Sequence, residues 1–129
     1  MVEETLAPPM TVLLVEDEPL LRTFSADAFS NAGFNIIEAG TADEAASILT
    51  TRDDVSAVVT DIQMPGALDG LGLVRLLYAT KPQIARVVVS GRVRPKPGDL
   101  APDTLFVAKP YDADALASRL FAMLRANPT

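Results

Sequence analysis

The chain has 129 residues, enough for one domain with a sizeable apolar core, and it carries a net charge of −6 with neither cysteine nor histidine. The acidic balance argues against a nucleic-acid partner, because such partners need a basic surface. The missing cysteine excludes disulfides and thiolate sites, and the missing histidine removes the usual general base and the usual zinc ligand. Any chemistry must therefore use carboxylates, hydroxyl groups and lysine.

The chain ends and the lack of long apolar runs define the expected organisation. No apolar stretch reaches the roughly 18 residues of a membrane span, and the acidic N-terminus lacks the features of a signal peptide. We therefore expect no membrane partner and a cytoplasmic location. Residues 1–10, with Pro8 and Pro9, are expected to form a flexible arm, residues 11–126 the domain and residues 127–129 a tail.

Apolar runs typical of buried strands alternate along the chain with helical patterns. The run TVLLVE (11–16) precedes a helix that has Pro19 in its first turn and ends at Gly33. The run FNIIEA (34–39) is the second predicted strand, and Thr41 is placed to cap the helix that follows it.

The second half of the chain continues the alternation. The run SAVVT (56–60) is the third predicted strand, and Asp69 is placed to cap the next helix. The fourth and fifth strands are ARVVVS (85–90) and TLFVA (104–108), and Asp112 is placed to cap a last helix.

The segment between the fourth and fifth strands departs from this pattern. Residues 92–104 contain Pro95, Pro97, Pro102 and Gly98, and an interior proline costs a helix about 3 kcal/mol or more. We therefore expect a loop with at most one helical turn where a helix is due.

Strands that alternate with helices predict an α/β domain, a doubly wound parallel sheet of five strands covered on both faces. Ligands of such sheets bind outside the carboxyl ends of the strands. Five chemically active side chains come directly at or after strand ends: Glu16, Asp17, Asp61, Ser90 and Lys109. Each alone fits a helix cap, a turn or a solvated charge, but their joint placement indicates a site.

Carboxylates gathered at one such edge have predictable chemistry. Unit charges about 4 Å apart repel by about 4 kcal/mol at an effective dielectric constant near 20, so the acids titrate together and demand a cation. A hard ion such as Mg²⁺ fits oxygen ligands of this kind. A carboxylate is also a competent nucleophile toward a phosphoryl donor, and this reaction needs no histidine base.

The same segments resemble the receiver domains of two-component response regulators. The resemblance covers residues 11–126, and its motifs are LLVEDEPLLR (13–22), VVTDIQMPGALDGLGLVRLL (58–77), VVVSGR (87–92) and FVAKPY (106–111). The second motif is the most specific, with an acid that ends an apolar strand before Met-Pro-Gly and Asp-Gly. The family has a flavodoxin-like sheet of order 2-1-3-4-5.

The resemblance implies a phosphoacceptor function, with Asp61 phosphorylated by a histidine kinase in the presence of Mg²⁺. It implies that Asp17 binds the ion directly and that Glu16 acts through a bound water. The backbone carbonyl of Gln63 would complete the protein's share of the metal shell.

The resemblance also implies a switch. Ser90 and Lys109 would contact the phosphoryl group, and Phe106 would rotate into the space that the Ser90 hydroxyl leaves. The alternative for Phe106 is an ordinary core aromatic. Lys109-Pro110 is a candidate cis peptide.

The proline-rich loop carries Arg92, Arg94 and Lys96 beside the predicted acidic pocket. One hypothesis is that phosphorylation orders this loop, with Arg92 and Gln63 affecting the phosphoryl lifetime. The alternative is a tolerant surface loop with solvated charges. The missing helix also puts the family's common dimer in doubt, so we expect a monomer or a weak dimer.

The expected function is thus a phosphoacceptor with autodephosphorylation rather than an enzyme. Its partners would be a sensor histidine kinase or a histidine phosphotransfer protein, and an unidentified downstream protein. Two alternatives stay open: a degenerate receiver that acts as a scaffold without phosphorylation, and a haloacid-dehalogenase-like phosphohydrolase. The latter needs a second acid where Gln63 stands and a cap domain for which the chain has no room.

Overall fold

The computed structural model describes residues 9–126. The expected arm (1–10) therefore lies mostly outside the described residues, and the expected tail (127–129) lies wholly outside them. In the described part the elements are β1 (Thr11–Val15), α1 (Pro19–Asn31), β2 (Asn35–Ala39), α2 (Ala42–Thr51), β3 (Val55–Asp61), α3 (Gly70–Thr80), β4 (Ala85–Ser90), β5 (Thr104–Ala108) and α4 (Ala113–Ala126). No strand bound differs by more than one residue from its predicted position, which is within the usual spread of strand assignment.

The five strands form one parallel sheet of order β2-β1-β3-β4-β5. This confirms the doubly wound α/β class and the flavodoxin-like strand order. The chain moves outward from β1 to β2 and then returns across β1 to β3, so the strand order reverses between β1 and β3. Ligands of doubly wound folds bind at such a reversal.

The strands are apolar throughout because helices cover both faces of the sheet. Successive side chains point to opposite faces, so Val12 and Leu14 pack with α1 and α4 while Leu13 and Val15 pack with α2 and α3. All four side chains are at most 2% exposed. Within residues 9–126, none of the helices is long and apolar enough to cross a membrane.

Side-chain caps begin the four helices. The caps are Glu18 for α1, Thr41 for α2, Asp69 for α3 and Asp112 for α4, and each side chain accepts from a main-chain N–H at 2.8–3.1 Å. The last three were predicted from sequence, and the Glu18 cap was not. Gly33 follows α1 with φ of +108°, the left-handed conformation that favours glycine after a helix.

Residues 91–103 join β4 to β5 without a helix, as the prolines predict. The loop is nevertheless held in place. Arg75 Nη2 donates to the carbonyl oxygen of Asp99 at 3.0 Å, and the apolar side chains of Val93 and Leu100 pack on a small cluster on the face of α3.

Arg86, at the start of β4, anchors the end of this loop. Its side chain is buried, and no carboxylate pairs with it among the described residues. It donates instead to the Thr104 hydroxyl at 3.2 Å and to the carbonyls of Pro82, Ile84 and Pro102 at 2.8–3.0 Å. One buried guanidinium therefore joins the residues at the start of β4 to the end of the loop.

Candidate functional site

Three carboxylates meet at the carboxyl ends of two neighbouring strands. Glu16 and Asp17 follow β1 directly, and Asp61 is the last residue of β3. Because β1 and β3 are adjacent and parallel, their ends lie side by side, and one oxygen from each carboxylate lies within 4.8 Å of the others. The predicted acid cluster is therefore present.

Lys109, which follows β5, bridges two of these acids. Its Nζ donates to Oε1 of Glu16 at 2.9 Å and to Oδ2 of Asp61 at 2.8 Å. Burial, the largest influence, raises the pKa of Glu16, and the hydrogen bond from Lys109 opposes this only in part. Burial acts to lower the pKa of Lys109, but the bonds to Asp61 and Glu16 outweigh it and raise that pKa.

Asp17 differs from the other two acids because it is exposed. Within residues 9–126, its carboxylate accepts no hydrogen bond, and the Nζ of Lys109 donates to Glu16 and Asp61 but not to Asp17. The cluster therefore sets three carboxylates against one ammonium group. An all-oxygen donor set with surplus negative charge fits a hard divalent cation such as Mg²⁺.

Gln63 borders the cluster on the β3–α3 side. Its main-chain N–H donates to Oδ1 of Asp61 at a long 3.4 Å, and its side chain is exposed. With Asp17 and Val93 it lines an open crevice that runs from the acids to the 91–103 loop. The predicted carbonyl ligand thus belongs to a residue next to the acids.

Ser90 ends β4 beside the cluster, since Asp61 pairs with the neighbouring Val89. Its side chain is buried, and its Oγ accepts from the main-chain N–H of Val93 at 3.0 Å. Phe106 lies inside β5, half-buried against the small cluster that also holds Val93. The two switch candidates therefore share one neighbour, the start of the proline-rich loop.

The segment after β5 is also held close to the site. The Lys109-Pro110 peptide is cis, as predicted, and the N–H of Lys109 donates to the carbonyl oxygen of Ser90 at 3.0 Å. The hydroxyl groups of Tyr111 and Ser25 lie 2.9 Å apart, which ties this segment to α1.

The remaining predicted residue, Arg92, lies exposed in the loop. Among the residues described, no hydrogen bond or ion pair joins Arg92 to the acids. The structure thus brings Glu16, Asp17, Asp61 and Lys109 into one cluster, places Ser90 and Gln63 at its border, and leaves Arg92 outside it.

Sequence reasoning missed three residues that shape the site. Arg22 Nη1 donates to the carbonyl oxygen of Glu16 at 2.8 Å. Asp43 Oδ2 accepts from the N–H of Ala67 at 3.0 Å in the β3–α3 loop. Gly70 allows α3 to pack on the end of β3, because a Cβ there would overlap the carbonyl oxygen of Asp61. Only Gly70 had a signal, its place in the Asp-Gly pair.

Comparisons with known proteins agree on one family. The family model "Response regulator receiver domain" matches residues 12–121. The chain is 36% identical over 120 residues to the sensor kinase CckA of Brucella abortus (strain 2308), covering 88% of this chain and 12% of that protein. It is 34% identical over 114 residues to the C4-dicarboxylate transport transcriptional regulatory protein DctD of Rhizobium meliloti (strain 1021), covering 82% of this chain and 23% of that protein.

The fold has close counterparts among solved structures. A response regulator receiver protein from Sinorhizobium medicae WSM419 superposes with a TM-score of 0.84 at 25% identity, covering 92% of this chain and 96% of that one. The chain thus spans a small part of the two curated relatives above but nearly the whole of this receiver. It belongs to the response regulator receiver domain family.

Proposed function

We propose that Asp61 accepts a phosphoryl group from the phosphohistidine of a sensor histidine kinase or of a histidine phosphotransfer protein, with Mg²⁺ as the cofactor. The observation that carries this proposal is the meeting of three carboxylates and Lys109 at the ends of β1, β3 and β5. Membership of the receiver family supports the kinase as the donor, and one relative named a sensor kinase shares this domain.

The transfer needs few groups from the protein. A carboxylate oxygen of Asp61 forms a bond to phosphorus while the bond from phosphorus to the donor imidazole breaks. The imidazole leaves with the electron pair and takes up a proton from solvent. Lys109, which bridges Asp61 and Glu16, lies within reach to donate to a phosphoryl oxygen.

The metal would be held by residues already near one another. Asp17, Asp61 and the carbonyl of Gln63 would bind Mg²⁺ directly, and Glu16 would do so through a water. When bound, the ion neutralises charge on the transferring group. The support for this set is the oxygen-only cluster and its surplus of negative charge.

The switch would start at Ser90. Its hydroxyl oxygen accepts from Val93 N–H, so a move toward the phosphoryl group would give up this bond and release the start of the loop. Phe106 would then fill the space behind it, and the change would be read by a downstream protein. The phosphoryl group can shift the equilibrium between the two conformations only by the difference between its contacts in one and in the other.

The chain would act as a phosphoacceptor that dephosphorylates itself, without other enzymatic activity. Gln63 is exposed beside Asp61, where it would affect the access of water to the phosphoryl group. The effect of Arg92 on the phosphoryl lifetime, and the ordering of residues 92–104 by phosphorylation, stay predictions. So does the expected monomeric or weakly dimeric state.

The test is phosphorylation by acetyl phosphate with Mg²⁺, followed by intact mass and by mapping of the modified residue. The wild type should gain one phosphoryl group, and it should gain none when EDTA is present to remove the ion. Asp61→Asn should gain none under either condition. A folded wild type that gains nothing would support the scaffold alternative. A gain that persists in Asp61→Asn would identify another nucleophile.

A further inference from the structure

The guanidinium group of Arg22 reaches the acid cluster through the main chain. Its Nη1 donates to the carbonyl oxygen of Glu16 at 2.8 Å, and its Nε donates to Oε1 of Glu38 at 3.1 Å. Arg22 lies on α1, Glu16 follows β1 and Glu38 lies on β2. One arginine thus holds the carboxyl ends of two strands against the first helix.

The bonded carbonyl belongs to the peptide unit that leads into Asp17. This unit is planar, so a hydrogen bond to its oxygen also sets the orientation of the N–H and Cα of Asp17. The preceding peptide is anchored as well, because the N–H of Glu16 donates to the carbonyl oxygen of Ala39 at 3.0 Å. With both peptides of Glu16 fixed, the N and Cα atoms of Asp17 are fixed in place. The N–H of Glu18 donates to Oε2 of Glu16 at 3.1 Å, which holds the peptide on the other side of Asp17 as well.

Asp17 is the member of the cluster that depends on this support. The carboxylates of Glu16 and Asp61 are both held by Lys109. The carboxylate of Asp17 is exposed and accepts no hydrogen bond from any residue in the range 9–126. Its position is therefore set by the backbone, which Arg22 holds on the Glu16 side of Asp17 and the bond from Glu18 N–H to Glu16 holds on the other side.

We infer that Arg22 is a positioning residue for the metal-binding carboxylate of Asp17, an inference that rests on the proposed Mg²⁺-dependent phosphorylation. Loss of a group that orients a metal ligand typically weakens metal binding by about 10- to 100-fold. Because Arg22 acts through the main chain, we expect its loss to weaken Mg²⁺ binding by about 10-fold, at the low end of that range.

The charge of Arg22 acts in the opposite direction. A guanidinium near a cluster of carboxylates competes with a cation for them, so loss of the charge alone would tighten Mg²⁺ binding. The sign of the change in Kd therefore separates the two roles: Arg22→Gln raises Kd if Arg22 positions Asp17 and lowers it if only the charge matters.

The test is a calorimetric titration of Mg²⁺ into the full chain. Arg22→Gln should raise the Kd, and Arg22→Lys should raise it too, because one ammonium group keeps the charge but does not reproduce the fork between Glu16 and Glu38. An unchanged or lower Kd in Arg22→Gln overturns the inference. Arg75→Gln is the matched control, since Arg75 also donates from a helix to a backbone carbonyl, but to Asp99 in the loop.

A second measurement excludes a merely structural effect. Phosphorylation of Arg22→Gln by acetyl phosphate should be slow at low Mg²⁺ and should return to the wild-type rate at saturating Mg²⁺, because the nucleophile Asp61 is intact. A rate that stays low at saturation, with a lowered Tm in the absence of Mg²⁺, overturns the positioning role.

The two proposals fail in different ways. A wild type that binds Mg²⁺ but is not phosphorylated ends the proposed function and leaves the Kd comparison for Arg22 valid. A wild type that is phosphorylated at Asp61, with an unchanged Kd in Arg22→Gln, ends the Arg22 inference alone. A wild type that binds no Mg²⁺ ends both.

Discussion

The position of Asp61 depends on Gly70, the first residue of α3. The Gly70 N–H donates to the carbonyl oxygen of Ile62 at 2.9 Å, which draws the helix onto the end of β3. A Cβ on Gly70 would overlap the backbone of Asp61 and Ile62, and backbone atoms cannot turn aside as a side chain can. Glycine is therefore required here for space, and the backbone that it packs against belongs to Asp61, the proposed phosphoacceptor.

Gly70→Ala should lower the free energy of unfolding by about 2 kcal/mol or more, because the added methyl group displaces the end of β3. It should also slow phosphorylation by acetyl phosphate, because Asp61 moves with that strand end. Chemical denaturation and the phosphorylation rate measure the two effects.

Gly72→Ala is the matched control, since it lies on the same helix and its Cβ would meet first the movable side chain of Leu68. Alanine is favoured over glycine within a helix by about 1 kcal/mol. Gly72→Ala should therefore leave the stability within about 1 kcal/mol of the wild type. A Gly70→Ala chain as stable and as active as Gly72→Ala would contradict the packing argument.

The site residues at the strand ends could be predicted from the sequence, but the residues that hold them in place could not. Glu16, Asp17 and Asp61 stand out only together, because each alone fits a helix cap or a turn, whereas acids at two strand ends with Ser90 and Lys109 at two others indicate a site. In the sequence Arg22 looks like any other helical arginine. Its role depends on a hydrogen bond to the carbonyl oxygen of Glu16, and this bond forms only when α1 packs against the end of β1. Contacts of this kind carry no local pattern.

At the scale of elements, the 91–103 segment shows the same division. Its prolines predicted the loss of a helix, because each removes a main-chain donor and forbids the helical path. They did not predict what replaces the helix's packing. The structure uses the buried guanidinium of Arg86 at one end and the side chains of Val93 and Leu100 along the loop.

Arg86→Met should lower the free energy of unfolding by about 2 to 4 kcal/mol and speed hydrogen exchange in residues 99–104. The carbonyls of Pro82, Ile84 and Pro102 would each lose a donor. The bond to Ile84 is buried, and loss of a donor to a buried carbonyl costs about 1 to 3 kcal/mol, while the two part-buried carbonyls would add less because water can reach them. Native-state hydrogen exchange with mass spectrometry measures the local effect.

Arg75→Gln provides the comparison for this prediction. Arg75 is exposed and makes one bond, to the carbonyl oxygen of Asp99, so its loss should change the stability by less than about 1 kcal/mol. Equal effects of the two substitutions would mean that Arg86 is not the anchor of the loop.

At the scale of the whole molecule, the strand order creates the site. Because β1 and β3 are neighbours in the sheet, the acids of two distant segments meet, and β4 and β5 add Ser90 and Lys109 from the same edge. The fold gathers like charges that would be far apart in the unfolded chain. Charge repulsion at the cluster thus opposes folding, and a bound cation relieves it.

Mg²⁺ should therefore stabilise the folded chain, and Asp17→Asn should remove most of this effect. A ligand present at 100 times its Kd, and bound only by the folded state, adds about 2.7 kcal/mol, which raises the Tm of a domain of this size by about 10 °C. Without Mg²⁺, Asp17→Asn should be at least as stable as the wild type, because one of the repelling charges is gone. Thermal unfolding followed by circular dichroism, with and without Mg²⁺, measures both. Asp27→Asn, at an exposed acid on α1, should keep the full shift, and an equal shift in Asp17→Asn would mean that the ion binds elsewhere.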